Sequence, residues 1–320
     1  MVTIDLTTPP TPPASFLDAM ARRLALTLPE LRLVAELAGG APLPFDVHDD
    51  DTSGSGTSEG SGGLSGRLGQ SRGSVEDSAY ADALGALHDP RETLRRRGLV
   101  TDEGADPGII GAVGLLATPR LALDIDVAAG ATQVKAWHRQ DGNAVASLST
   151  CDGIVFELAW FPVDQWTTEL ARVTAVPEDL PLGTSQVPAL LDVPYALADT
   201  IGEALRSGRA DLVPVLVGQA EGAVRADGAD LGDAEAAAAL SAVHSEGRGR
   251  LRILAAEVSE RATTSVGVVS WVLLKDGWHS LTPRHDDGAR VAVARVDHDA
   301  LATELAPVLA QVTIREDATT

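Results

Sequence analysis

The sequence predicts an α+β protein made by internal duplication, with two antiparallel β-meanders that are each preceded and closed by helices. Three observations predict it. Between Leu121 and Trp160 four runs are rich in β-formers, the first alternating Leu121, Leu123, Ile125, Val127 with Ala122, Asp124, Asp126. Asp141-Gly142 and Asp152-Gly153 punctuate the later runs, and Asp-Gly between β-formers is a hairpin signal. A second set of runs lies between Arg250 and Arg295, and its Asp276-Gly277 and Asp287-Gly288 each fall 135 residues after the first pair.

The elements follow in order. Residues 1–14, with Pro9, Pro10, Pro12 and Pro13, read as a flexible arm. Ser15 can cap a helix carrying Phe16, Leu17, Met20, Leu24 and Leu28, ended by Pro29. Residues 49–78 contain 8 Gly and 8 Ser in 30 positions, too little apolar surface to offset backbone entropy, and read as a disordered inserted loop. A helix is expected over 79–98, kinked or split in two by Pro90 and stopped by Gly98, and another over 107–117. Strands are expected at 121–127, 132–139, 143–150 and 154–160, then a helix from Pro162, as an N1 proline, to Val176. Helices over 190–206, 210–217 and 233–244 lead to strands at 250–258, 265–274, 278–282 and 289–295. Asp297, 135 residues after Pro162, caps a last helix through Leu301, Leu305, Val308 and Leu309. The two pseudo-repeats so defined span about 79–176 and 189–312.

The 320 residues carry Lys+Arg 25 against Asp+Glu 46, a net charge of -21, which disfavours nucleic acid and anionic membranes as partners. One cysteine, Cys151, excludes an internal disulfide and a Cys-x-x-Cys metal site. The N-terminus lacks the pattern of a secretory signal, and the apolar run 109–117 is half of what a bilayer needs, so the expected location is cytoplasmic.

The motifs that could carry chemistry have ordinary local explanations. Gly56-Thr57-Ser58-Glu59-Gly60 fits a nucleophile elbow but lies in the Gly/Ser loop, without the strand and helix the motif needs. His48 with Asp49–Asp51, His285 with Asp286 and Asp287, and His298 with Asp297 and Asp299 read as a loop start, a hairpin turn and a helix cap rather than a shared metal site. Asp152 beside Cys151 opposes thiolate formation. No catalytic residue, metal or cofactor is expected, and the protein reads as no enzyme.

One feature points to binding. Alternation over 132–139 puts Gln133, Lys135, Trp137 and Arg139 on one face, and Trp with Arg is the composition of an interface hot spot. The bland reading is that a helix covers Trp137 while Lys135 and Arg139 keep the strand soluble. Trp278, which starts the third strand of the second copy, raises the same question.

Several stretches resemble the EspG family of ESX (type VII) secretion-associated proteins. They are Pro42-Leu43-Pro44-Phe45-Asp46-Val47, then Arg97-Gly98-Leu99-Val100 leading to Asp106-Pro107, Leu115-Leu116-Ala117 and Pro119. Gly247-Arg248-Gly249-Arg250, Ser270-Trp271 and Asp276-Gly277-Trp278 carry it onward, so that it covers about Phe16 to Val312. The loop at 49–78 is longer than the resemblance leads one to expect. The resemblance implies one α+β domain over 15–312, a central antiparallel sheet flanked by two helical bundles with quasi-two-fold symmetry; residues 313–320 beyond it are expected as a flexible tail. It also implies a cytosolic chaperone that binds PE–PPE heterodimers at the tip of the PPE helices and hands them to the secretion apparatus. On that expectation Gln133, Lys135, Trp137, Arg139 and Trp278 are candidate partner contacts. The same fold serving other ESX clients, and a small-molecule enzyme or sensor sharing the α+β architecture, are the alternatives.

Overall fold

Where the spacing of Leu24 and Leu28 predicts a helix ending at Pro29, the structure has a strand followed by a helix that begins there. This computed structural model describes residues 21–45, 88–220, 223–259, 263–285 and 288–307, so the Phe16–Met20 part of that expectation lies outside the described residues. Strand β1 is Arg22–Thr27 and helix α1 is Leu28–Leu37. The reason is a capping box. The Thr27 hydroxyl accepts from the Glu30 N–H, and the Glu30 carboxylate accepts from the Thr27 N–H at 2.9 Å. Pro29 sits in the first turn, where its missing N–H has no partner to lose.

Helix α2 (Pro90–Arg96) starts at its proline, because the Asp89 carboxylate caps the Arg91 and Glu92 N–H groups. The stretch 79–87 lies outside the described residues. A two-residue hairpin, β2 (Val100–Thr101) with β3 (Gly104–Ala105), leads to α3 (Pro107–Ala117), which has the predicted bounds. The first meander follows as predicted: β4 (Leu121–Ala129), β5 (Thr132–Asp141), β6 (Ala144–Thr150) and β7 (Val155–Pro162). Pro162 ends β7 and precedes a 3-10 turn, so α4 (Trp166–Val173) starts later than expected.

The stretch expected as one helix over 190–206 is likewise a strand and a helix, β8 (Leu190–Pro194) and α5 (Tyr195–Arg206). Helix α6 (Val213–Gln219) precedes a hairpin that the sequence reading missed, β9 (Arg225–Ala226) and β10 (Ala229–Asp230). Its turn residues Asp227 and Gly228 have φ of 51° and 88°, the pair of positive values that an Asp-Gly hairpin turn requires. Helix α7 (Asp233–Ser245) and the second meander, β11 (Gly249–Val258), β12 (Thr263–Leu274), β13 (Gly277–Arg284) and β14 (Arg290–Arg295), lie where expected. Asp297 precedes a 3-10 turn, without a side-chain capping bond, and residues 301–307 form α8.

The described residues form two compact units, those within 1–124, 135–166 and 254–265, and those within 125–134, 167–253 and 266–320. In the first, β1 pairs antiparallel with β7, β7 with β6 and β6 with β5. Its core joins Leu26, Leu148 and Leu158 of the sheet to Leu31 and Val34 of α1 and Ile109 and Val113 of α3. In the second, β8 pairs with β14, β14 with β13 and β13 with β12. Its core joins Leu191, Val193 and Val293 to Leu197 and Ile201 of α5, Val213 and Val217 of α6, and the alanine-rich α7.

The duplication is visible in register. Leu26 opposes Phe156 in the first unit and Val193 opposes Val291 in the second; Leu148 opposes Leu158, and Leu281 opposes Val293. Each copy adds a strand–helix pair, β1–α1 or β8–α5, beside the last meander strand. The pair of the first copy lies upstream of residue 79. One of the Asp-Gly coincidences does not survive. In the first copy Asp141 pairs with Ala144 and Gly142 is in the turn, with φ 53°. In the second the turn is Lys275-Asp276, and Gly277 pairs with Leu274 at φ 131°. The dipeptide has the same job in both hairpins, which is to supply a residue with positive φ, from non-equivalent positions.

Gly249 opens β11 where the backbone of β4 leaves no room. A Cβ there would lie 2.1 Å from the Ala128 carbonyl oxygen and 3.0 Å from Ala129 Cα, both of them backbone atoms. Gly249→Ala is expected to cost about 1–3 kcal/mol through forced backbone displacement, measured by urea denaturation. Unchanged stability would mean that the strand shifts freely.

Candidate functional site

The five residues singled out for partner contact have different fates. Gln133 is exposed and Lys135 half-buried. Trp137 is half-buried, with its ring centroid 5.1 Å from that of Phe45, and Phe45 in turn stacks on Phe156 at 5.0 Å and 10°. This aromatic trio belongs to the core of the first unit, with Phe156 buried and Phe45 and Trp137 packed against it.

Arg139 corrects the expectation of a solvated cationic face. It is 7% exposed, its Nη2 lies 2.7 Å from Asp124 Oδ1, and its Nη1 donates to the carbonyls of Leu123 and His138. Asp124 Oδ1 accepts no hydrogen bond, so the pair is an ion contact with skewed geometry. An acidic residue in the middle of β4 explains why the arginine is inside: each charge neutralises the other in a dry interior. Trp278 is also internal, 2% exposed, with its indole N–H donating to the Thr174 carbonyl at 2.8 Å. Its neighbour His279 is fully buried, with Nε2 3.0 Å from Asp276 Oδ1. The indole N–H of Trp271 donates to Glu304 in the same way. These polar tips are spent inside the fold, which leaves Gln133, Lys135 and part of Trp137 of the predicted set at the surface.

The second unit has a surface feature that the sequence reading did not find. A groove of about 590 Å³ runs between α5 and α7 over the sheet. Val193, Val272, Leu281, Val291 and Val293 form its floor, and Ala198, Ile201, Gly202, Leu205, Leu240 and Val243 form its walls. Its lining is almost wholly aliphatic, as the greater part of a ligand-binding surface is. The exposed side chains of Arg206, His244 and Arg250 stand on its rim. A cationic rim is a local exception on a chain of net charge -21. The signal that could have located it is the duplication. Where the first copy places Leu26, Phe156 and Leu158, the second places Val193, Val291 and Val293.

No catalytic constellation emerges from the described residues. No group of three His, Cys, Asp or Glu side chains converges among them. Partial burial pushes the Cys151 thiol up from its ordinary value, and the charges of Asp152 and Glu157 add to this, the opposite of an activated nucleophile. Partial burial also works to raise Asp152, but N–H donors from Ile154 and Val155 and the Thr150 hydroxyl outweigh it, holding the carboxyl below its usual value in a structural turn. The elbow pattern at 56–60 and His48 with its aspartates lie outside the described residues, as do Asp286 and Asp287. No described helix is long and apolar enough to cross a membrane.

No family profile and no curated protein sequence matches the chain. Solved structures do. A structure of the Mycobacterium tuberculosis type VII secretion system chaperone EspG5, in complex with a PE25–PPE41 dimer, aligns with 90% of this chain and 96% of its own, at a TM-score of 0.55 and 12% identity. The chain has the fold of EspG5. The α+β architecture expected from the sequence is thereby found in a solved protein across nearly the whole length of both chains. At 12% identity the shared property with EspG5 is the fold, and function has to come from this chain's own surfaces.

Proposed function

We propose that the protein is a non-catalytic, cytoplasmic chaperone of type VII secretion, which binds PE–PPE-type helical pairs, keeps them soluble and passes them to the secretion apparatus. The single observation that carries this reading is the end-to-end fold likeness to EspG5, a chaperone whose structure contains a PE25–PPE41 dimer. The surface supports it. A helical tip with exposed apolar residues is an aggregation hazard, and masking it reversibly takes an apolar patch with a polar rim. The groove of the second unit offers aliphatic floor and cationic rim, and Gln133, Lys135 and the exposed part of Trp137 are proposed as further contacts.

The test is a tagged pull-down from native cytosol, with mass spectrometry for identity and light scattering for stoichiometry. Recovery of a stoichiometric pair of small helical secretion substrates is expected. Recovery of the protein alone, at native expression of such pairs, would overturn the reading.

A further inference from the structure

The two copies of the fold differ where the groove lies, and the first copy displays what fills that place. In the first unit, the chain after α1 returns over the sheet and lays Phe45 against Phe156 and Trp137. By register, the counterpart of Phe156 is Val291. The counterpart of Trp137, which opposes Leu148, is Ser270, one step beyond the Trp271–Ser280 pair and so opposite Leu281. Counting from the strand–helix junctions at Thr27 and Pro194, Leu31 of α1 corresponds to Ala198 of α5, and Ala35 to Gly202. Phe, Trp, Leu and Ala on one side thus become Val, Ser, Ala and Gly on the other. Three of these four smaller residues, Val291, Ala198 and Gly202, line the groove.

We propose that this groove receives an aromatic side chain from a partner's peptide segment, seated as Phe45 is seated in the first unit, with a carboxylate beside it on the partner. Shape fixes the anchor, since the missing groups are rings and aliphatic carbons. The rim fixes the flank: Arg206, His244 and Arg250 border the opening, and among the described residues Arg206 pairs with Glu203 of its own helix at 2.9 Å. An acidic residue next to the ring gains two arginines without displacing a buried pair. The assignment rests on the client-binding role only in naming a protein segment as the occupant.

The probe is the free, end-capped hexapeptide Pro-Leu-Pro-Phe-Asp-Val, the sequence of residues 42–47, added to the full chain labelled at its Val, Leu and Ile methyl groups. Shifts are expected at Val193, Val272, Leu281, Val291 and Val293, saturating at millimolar peptide or below. Replacing the peptide's Phe by Ala should weaken binding about tenfold or more. Val291→Phe, which restores the ring of the first copy, and Gly202→Leu, whose only near neighbour is the flexible Arg206 guanidinium, should each abolish the shifts. Thermal melts establish that each variant is folded, and either one suffices. Arg250→Glu should weaken the Asp peptide and strengthen a Lys-substituted one. Absent shifts, equal shifts with the Phe-less peptide, or unchanged binding in a folded, filled variant would overturn the assignment. So would self-association that the peptide blocks, which would give the groove to a second copy. If the peptide binds as expected while the native pull-down yields no pair, the chaperone reading fails alone. If a pair is captured and the groove methyls do not move, the groove assignment fails alone.

Discussion

Arg139→Ala is expected to destabilise the protein by about 3–5 kcal/mol, because it leaves the buried Asp124 carboxylate without its counter-charge. The residue looks like a surface cation in the sequence, where a change to alanine would be nearly neutral, so the experiment discriminates sharply. Its guanidinium also satisfies the Leu123 and His138 carbonyls, which lose their donor. Urea denaturation should show a lower midpoint with little change in slope. The control is the pair Arg139→Met with Asp124→Leu. Removing both charges together should recover most of the loss, since a well-packed apolar pair is often as stable as a buried ion pair. A neutral single variant, or a double variant no better than the single, would show that the pair is not what holds these strands. Arg139→Ala is therefore unsuitable for testing partner binding, and Lys135 and Trp137 are the positions of β5 to use.

Trp278→Ala is the second large effect, at roughly 3–5 kcal/mol for the lost ring and its cavity. Trp278 and Trp271 pack with centroids 6.1 Å apart, and the Thr174 carbonyl loses the indole N–H. Trp278→Phe keeps most of the volume and removes the donor. It should cost clearly less than the alanine variant, the difference measuring packing and the remainder the hydrogen bond. Equal costs in the two variants would contradict that division. Tryptophan fluorescence follows both, since three of the five indoles in the chain would remain near their present environments.

These two residues also show what the sequence carries and what it hides. Strands announce themselves locally: Leu121, Leu123, Ile125 and Val127 alternate, and β4 extends only two residues past the expected end. The helix from Pro107 to Ala117 has its cap, Asp106, and its stop in the sequence. The errors at β1 and β8 share a cause. In both, a short strand runs directly into a helix, so apolar residues at mixed spacing satisfy a helical reading. What makes them strands is pairing with β7 and β14, more than ninety residues away. The same distance hides the site. Alternation places Arg139 on a face but cannot say that Asp124 meets it there. The groove draws on four strands and two helices besides the start of β11, and no window of sequence contains it. Its trace lies in the difference between copies, Phe156 against Val291 and Leu31 against Ala198, which only the register makes comparable.

The pairing of β1 has a consequence for the living ribosome. Thr27 finds Val155, and Arg22 finds Trp160, so the first strand has no partner among the described residues until the end of the meander has been made. At roughly 5–20 residues per second of synthesis, that is a wait on the order of ten seconds. Over that interval Leu24, Leu26 and the apolar side of α1 are without the sheet that later buries them. The capping box of Thr27 and Glu30, being wholly local, can form before the wait begins, and it gives the nascent helix an end that does not depend on strands yet to emerge.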